Sequence, residues 1–169
     1  MIRLTKILSN TILILLVVSL LSGCFESSNG MWGNAPDFTL TTIYGETFTL
    51  SDHFGKVIVI DLMAAWCYWC LPQMAELEAV LEEKGDEILI VSVDVDKTET
   101  GEDIIDKFSD YVDKWTFVMD SYEEDVNNKY QVSGIPKLVI IDKEGNIYYS
   151  EAGLTSKEKL IEEINKASG

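Results

Sequence analysis

Val57-Ile-Val-Ile-Asp-Leu-Met-Ala-Ala-Trp-Cys-Tyr-Trp-Cys70 is the stretch that decides the fold. Its first seven residues are an apolar run broken once, by Asp61, the pattern of a strand buried on both faces. Its last four are Cys67, Tyr68, Trp69 and Cys70. Directly afterwards Met74, Leu77, Val80 and Leu81 recur at helical spacing. This spacing predicts a helix over Cys67–Lys84, ended by Gly85. Both thiols therefore fall where a buried strand turns into the first turn of a helix. A helix N-terminus offers unpaired N–H groups and a partial positive charge, which stabilise a thiolate, the form that attacks a disulfide. At this spacing the two sulfurs can close on each other, so that one attacks a partner and the other releases it.

Working outward, Ile88–Val95 reads as a second central strand. Ile104, Ile105, Phe108 and Tyr111 or Val112 give a helical stripe in an acidic segment. Thr116–Met119 is a short strand end, and Glu123–Tyr130 a short helix. Lys137–Ile141 and Ile147–Tyr149 form a hairpin around Asp142–Asn146. Thr155-Ser-Lys-Glu158 reads as a capping box opening a last helix through Lys166. Upstream, Ala35–Leu40 and Thr47–Leu50 alternate around Tyr44-Gly-Glu46, which predicts a hairpin. The expected class is α/β, a mixed central sheet flanked by helices, whose first two central strands are parallel neighbours.

The chain has 169 residues and three cysteines, Cys24, Cys67 and Cys70, too few for a disulfide-rich scaffold. Its formal charge is -16. Such acidity repels phosphate backbones, so nucleic acid is excluded as a partner, and it holds a folded domain off anionic lipid headgroups.

Residues 1–23 have the layout of a secretory signal: Arg3 and Lys6, then the apolar core Ile12–Leu21. That core is shorter than the roughly 20 residues of a comfortable membrane span. Leu21-Ser-Gly-Cys24 resembles the lipobox of prokaryotic lipoproteins, which implies cleavage before Cys24 and a diacylglyceryl group on its sulfur. The competing reading is an uncleaved signal anchor; both place the domain outside the cytoplasm, facing the membrane. Residues 24–34 read as a polar tether, of which ten residues span at most about 35 Å. Residues 35–169 are the expected domain.

The order of elements and four local matches resemble the thioredoxin-like superfamily, in particular the membrane-anchored extracytoplasmic thiol-disulfide oxidoreductases of the TlpA/ResA type. The matches are Ala35-Pro-Asp-Phe-Thr-Leu40 with Gly45 and Leu50-Ser-Asp52; Ala65-Trp66-Cys67-x-x-Cys70; a helical insertion before Thr116; and Val132-Ser-Gly-Ile-Pro136. The resemblance covers about residues 34–167. It implies a thioredoxin fold with an N-terminal β-hairpin extension and a redox-active Cys67–Cys70 disulfide, with Cys67 attacking and Cys70 resolving. It implies a cis peptide at Pro136, so that the Ile135 backbone can face the cysteines and pair with an extended client; the alternative is a trans proline that starts a strand. Trp66 either packs beside the thiols or fills core, and Tyr68 and Trp69 offer an aromatic docking face. The implied partners are thiols or disulfides of exported proteins, with apocytochrome c and misoxidised secreted proteins as client classes. A membrane electron donor of the thiol-disulfide type completes the set; no cofactor is implied, and the expected state is a monomer.

The chain departs from that pattern in places. Gln73 stands where a glutamate is frequent, and Ala75 where a helix-kinking proline is expected, while Pro72 falls in the first turn, where proline is tolerated. Asp61 coincides with the buried acid of thioredoxin, which makes it a candidate proton acceptor for Cys70; a carboxyl buried in an apolar strand has a raised pKa suited to that task. Its alternative role is structural, paired with a backbone group or with Lys56 or Lys97. A function of another class uses the same cysteines to bind or deliver copper or zinc, with His53 as the one available imidazole. A peroxidase of the peroxiredoxin type is disfavoured, because the Pro and Thr it needs before the cysteine are missing from Asp61–Trp66.

Overall fold

The computed structural model describes residues 33–169. Cys24 and the whole of the signal-like leader, as well as most of the tether, lie outside the described residues.

Seven strands form one mixed sheet: β1 (Thr39–Thr42), β2 (Thr47–Thr49), β3 (Val57–Met63), β4 (Ile88–Asp94), β5 (Thr116–Met119), β6 (Lys137–Ile141) and β7 (Ile147–Ala152), in the order β2-β1-β5-β4-β3-β6-β7. The helices among the described residues are α1 (Cys70–Lys84), α2 (Gly101–Lys107), α3 (Val126–Lys129) and α4 (Lys157–Ala167). This is the expected thioredoxin-like α/β architecture, with the N-terminal hairpin and the helical insertion α2 in place. The hairpin is no loose appendage, since β1 pairs antiparallel with β5 and extends the sheet.

All seven residues of β3 are buried, as a strand between two neighbours and two covered faces must be. It runs parallel to β4 and antiparallel to β6. Because side chains alternate along a strand, β3 serves two cores. Ile58, Ile60 and Leu62 meet Phe38, Val91, Val93 and Tyr130 beneath the N-terminal segment and α3. Val57 and Val59 meet Leu77, Val80, Leu160 and Ile164 of α1 and α4. A third cluster closes the C-terminal end of the strands, where Met63 and Ala64 pack with Cys67, Cys70, Met74, Ile104 and Phe108.

Several sequence boundaries shift: β1 is Thr39–Thr42 rather than Ala35–Leu40, β7 runs on to Ala152, and three further shifts have a visible local cause. The helix begins at Cys70 rather than Cys67, because Cys67–Trp69 form a tight turn: the Cys67 N–H donates to the Ala64 carbonyl at 3.1 Å, and the Cys70 N–H to the Cys67 carbonyl at 3.4 Å. The last helix is capped by Ser156, whose Oγ accepts the Lys159 N–H at 3.4 Å. Thr155 lies one residue outside the cap, its backbone bound by Gln73 and its hydroxyl directed at the Gly153 carbonyl. Finally, α3 covers only four residues, since Asp125 before it adopts a left-handed conformation, φ 48°, that no helix continues through. At the N-terminal edge, Gly33 and Asn34 already pair with the β6–β7 hairpin, the Gly33 carbonyl accepting the Ile147 N–H at 2.9 Å.

Candidate active site

Cys67 and Cys70 are joined in a disulfide in front of α1, with Cα atoms 5.4 Å apart. Cys70 is fully buried and Cys67 is 3% exposed, so any approach from outside meets Cys67 first. Around this small opening stand large exposed rings: Trp66 at 65%, Tyr68 at 77% and Trp69 at 57% exposure. Trp66 therefore fills no core. Its indole Nε1 donates to Asp96 Oδ2 at 2.8 Å, which fixes the ring at the surface.

The Ile135–Pro136 peptide is cis, and Ile135 packs against the cluster that holds both cysteines. Trp69, Ile135, Pro136, Gly153 and Leu154 line an open groove of about 290 Å³ beside the disulfide. The Pro136 carbonyl is taken by the Gly153 N–H at 2.7 Å. A second concavity, between Trp66 and Tyr122, is floored by Val95 and Asp96.

Below the disulfide lies Asp61, paired in register with Ser92 of β4 and Leu138 of β6. Its carboxyl is fully buried; Oδ2 accepts the Ser92 hydroxyl at 3.0 Å, and Oδ1 has no donor among the described residues. Trp115 Nε1 in turn donates to Ser92 Oγ at 3.0 Å, leaving the hydroxyl proton directed at the carboxyl. Burial pushes Asp61 up to about 7, against the lowering effect of the Ser92 bond. The structural alternative fails for both lysines: Lys97 pairs with Asp125 and Asp120, and no bond joins Asp61 to Lys56. Ser92 Oγ also lies 4.0 Å from the Met74 sulfur, and Met74 is one helical turn from Cys70.

Gln73 is buried in α1 and grips the Thr155 backbone twice: its Oε1 accepts the Thr155 N–H at 2.8 Å, and its Nε2 donates to the Thr155 carbonyl at 3.1 Å. A carboxylate could not make the second bond, so the departure to glutamine has a local cause. Pro72, third in α1, precedes the first residue whose N–H is needed, Gln73, which donates to Trp69 O at 3.3 Å.

Sequence reasoning missed Ser92, Asp94 and Glu99. Ser92 and Asp94 are readable in retrospect as two polar residues of one parity in an apolar strand. Glu99, far along a loop, carries no such mark. It accepts the Ala65 N–H at 2.7 Å and the Trp66 N–H at 3.2 Å, fastening the segment before Cys67.

The metal reading finds no support in the geometry. His53 stacks on Phe48 in the hairpin region, ring centroids 4.7 Å apart. No group of three or more His, Cys, Asp or Glu side chains suited to an ion occurs among the described residues. A further concavity holds Lys129 and Lys137, but both amines are committed, Lys137 Nζ to the Tyr130 and Gln131 carbonyls and Lys129 Nζ to Glu124 and the Asp37 carbonyl.

The chain thus carries a cysteine pair at the start of a helix, a cis proline alongside and a buried acid beneath. The Redoxin family profile matches residues 32–167. The chain belongs to the Redoxin family. It is 30% identical over 131 residues to thioredoxin-like protein YneN of Bacillus subtilis, covering 78% of this chain and 76% of that one. It is 30% identical over 166 residues to the thiol-disulfide oxidoreductase ResA of Bacillus cereus, covering 92% and 93% of the two chains. Among solved structures, the exposed lipoprotein thioredoxin of Streptococcus pneumoniae superposes with a TM-score of 0.61 at 25% identity, covering 78% of this chain and 99% of that one. This Redoxin-family protein is a ResA-type thiol-disulfide oxidoreductase, and its disulfide-forming pair is Cys67–Cys70.

Proposed function

We propose that this protein is a monomeric reductase or exchanger of disulfides in exported proteins, anchored by lipid on Cys24 to the extracytoplasmic face of the membrane. The observation that carries the client class is the mouth of the site. One nearly buried sulfur sits between exposed aromatic rings and an open groove beside a cis proline. Such a mouth fits an extended cysteine-bearing segment and no small enclosed substrate. Among the described residues, the Ile135 N–H and C=O have no hydrogen-bond partner, leaving them to pair with a client strand. Apocytochrome c before haem attachment and misoxidised secreted proteins both present segments of this kind.

The reaction follows from the arrangement. With the pair reduced, the Cys67 thiolate attacks one sulfur of a client disulfide; the Cys67–client bond forms, and the other client sulfur leaves and takes a proton. Cys70 gives its proton to the Asp61 carboxylate and attacks the Cys67 sulfur. The Cys67–Cys70 bond forms, the client sulfur held by Cys67 is expelled as a thiolate and takes a proton, and two electrons have passed from the dithiol to the client. A membrane thiol donor then re-reduces Cys67–Cys70 by the same exchange in reverse order. An acid titrating near 7 is suited to this relay, because it is part ionised, and so able to accept, at neutral pH.

The anchor rests on the N-terminal residues: Arg3 and Lys6, a short apolar core, small residues before Cys24, and the lipoprotein among the similar structures. Two acyl chains suffice for stable attachment.

Insulin reduction with a thiol donor tests the chemistry: activity is expected in the wild type and absent in Cys67→Ser, and a fully active variant would remove Cys67 from its role. Cys24→Ala is expected to abolish lipid labelling and release the protein from membranes, whereas retention and unchanged labelling would refute the anchor.

A further inference from the structure

Asp61 is not the only buried acid beneath the cysteines. Asp94 ends β4 level with Met63, on the same side of the sheet as Asp61 and Ser92, and is fully buried. Its Oδ1 accepts the Asp96 N–H at 3.0 Å, but Oδ2 has no donor. The side chain it meets is Glu99, the residue fastened to the Ala65 and Trp66 amides just before Cys67. Among the described residues no lysine pairs with either acid; Lys97 turns to Asp125 and Asp120. From the neighbouring strands Met63 and Met119 flank Asp94 without charge. From the insertion, buried Ile104 is likewise uncharged. Beyond β5, the Asp120 carboxylate is occupied by the Ser121, Val126 and Asn127 amides. In the loop itself, Asp96 is the remaining acid, held ionised by Thr98 and Trp66.

Two carboxyls in contact without a cation cannot both ionise at low cost, and a buried acceptor without a donor is unfavourable. One proton on Asp94 removes both difficulties. Its Oδ2–H then donates to Glu99, whose carboxyl also accepts the Ala65 and Trp66 amides.

We propose that Asp94 and Glu99 share a single proton, and that this proton holds Glu99 on the Ala65 and Trp66 amides, so that the pair positions the loop carrying Cys67 and disfavours the Cys67 thiolate once the proton is lost. Burial pushes the Asp94 carboxyl up to about 8, opposed by the Asp96 amide and reinforced by Glu99 and Asp96. Below that value Asp94 holds its proton; above it, Asp94 adds a negative charge beside Glu99. This charge repels Glu99 from its seat and opposes ionisation of the nearby thiol. The site is thereby restrained on its alkaline side, independently of Asp61. The inference deepens the exchange reading, since it takes Cys67 as the attacking thiol.

The test follows iodoacetamide alkylation of Cys67, assigned by peptide mapping, in the reduced full-length protein across pH. The wild type is expected to show a second break near pH 8, where the rise in rate falters. Asp94→Asn offers Glu99 an amide donor at every pH, so the break disappears and the alkaline rate rises severalfold. A profile unchanged by Asp94→Asn overturns the proposal. Should that variant fail to fold, the side-chain carboxyl resonance of Asp94 in the wild type and in Glu99→Gln decides. Glu99 lies half-buried at the surface, and its removal is expected to lower the Asp94 midpoint by about a pH unit or more. An Asp94 that titrates in the ordinary carboxylate range, or ignores Glu99→Gln, refutes the shared proton. These titrations read the pair directly, so a wild type inactive on insulin would defeat the exchange reading and leave them standing.

Discussion

The two faces of the central sheet are built from the same strands and have diverged in composition. On the face beneath the N-terminal segment, Ile58, Ile60 and Leu62 of β3 and Val91 and Val93 of β4 meet only apolar neighbours and the Tyr130 ring. On the opposite face the alternate positions of β3 and β4 begin apolar, with Val57, Val59, Ile88 and Ile90, and end in Asp61, Ser92 and Asp94. The polar residues are confined to the C-terminal ends of the parallel strands, under the start of α1. One face is free to maximise burial. The other gives up apolar area at one end and buries acids near the disulfide, at the end of a parallel sheet where ligands and chemistry collect.

The contrast can be broken most severely at Asp61. Its pKa is about 7 in the folded chain against 3.8 unfolded. For an acid raised on folding, the stabilising contribution is complete below the unfolded value and is lost as pH rises through the folded one. Between pH 4 and pH 8 this carboxyl alone should cost about 4 kcal/mol of stability. Asp61→Asn is therefore expected to match the wild type near pH 4 and exceed it at pH 8, while resolving mixed disulfides about 100-fold more slowly. Denaturation at several pH values and quenched-flow trapping of the mixed disulfide measure the two effects; parallel stability curves would return Asp61 to an ordinary carboxylate.

Leu62→Ala, one residue on but facing the other way, should do the opposite. It is expected to cost about 2–5 kcal/mol at every pH and leave the exchange chemistry alone at temperatures where the variant is folded. A change in the pH profile of activity would show that the two faces are not independent.

Gln73→Glu sets a carboxylate against the Thr155 carbonyl and is expected to cost about 1–3 kcal/mol, with the loss reduced in acid, where the side chain regains a proton to donate. Thermal melts at pH 4 and pH 8 check the sign. The smallest effect belongs to Ser92→Ala. It removes a bond that favours the Asp61 carboxylate, so the pH dependence of disulfide resolution should move to higher pH, at a stability cost of about 1 kcal/mol. An unmoved profile would mean that the hydroxyl does not act on Asp61.

Much of this contrast is legible in the order of residues alone. The apolar run of β3 announces a doubly buried strand, and one acid within it announces a perturbed carboxyl. Gly85 ends α1 as expected, with φ 52°, a left-handed backbone that glycine adopts without strain. Relations between distant segments are not legible in this way. Thr155 stays outside the last helix, its backbone gripped by Gln73, 82 residues earlier. Ser92 and Asp94 look like ordinary strand polars until the parallel register sets them beside Asp61 and Met63. Glu99 leaves no periodic trace, since loop residues are placed by what they bond and not by a repeat.

By itself the sequence determined the order of the elements, the position of the two thiols between strand and helix, and the burial of Asp61, because period and hydrophobicity act over a few residues. Only the tertiary structure decided that Asp61 accepts a bond from Ser92, itself held by Trp115, and that Asp94 meets Glu99 beside the cysteine loop. Those outcomes depend on register and desolvation, which arise when strands far apart in the chain are brought to within a hydrogen bond of each other.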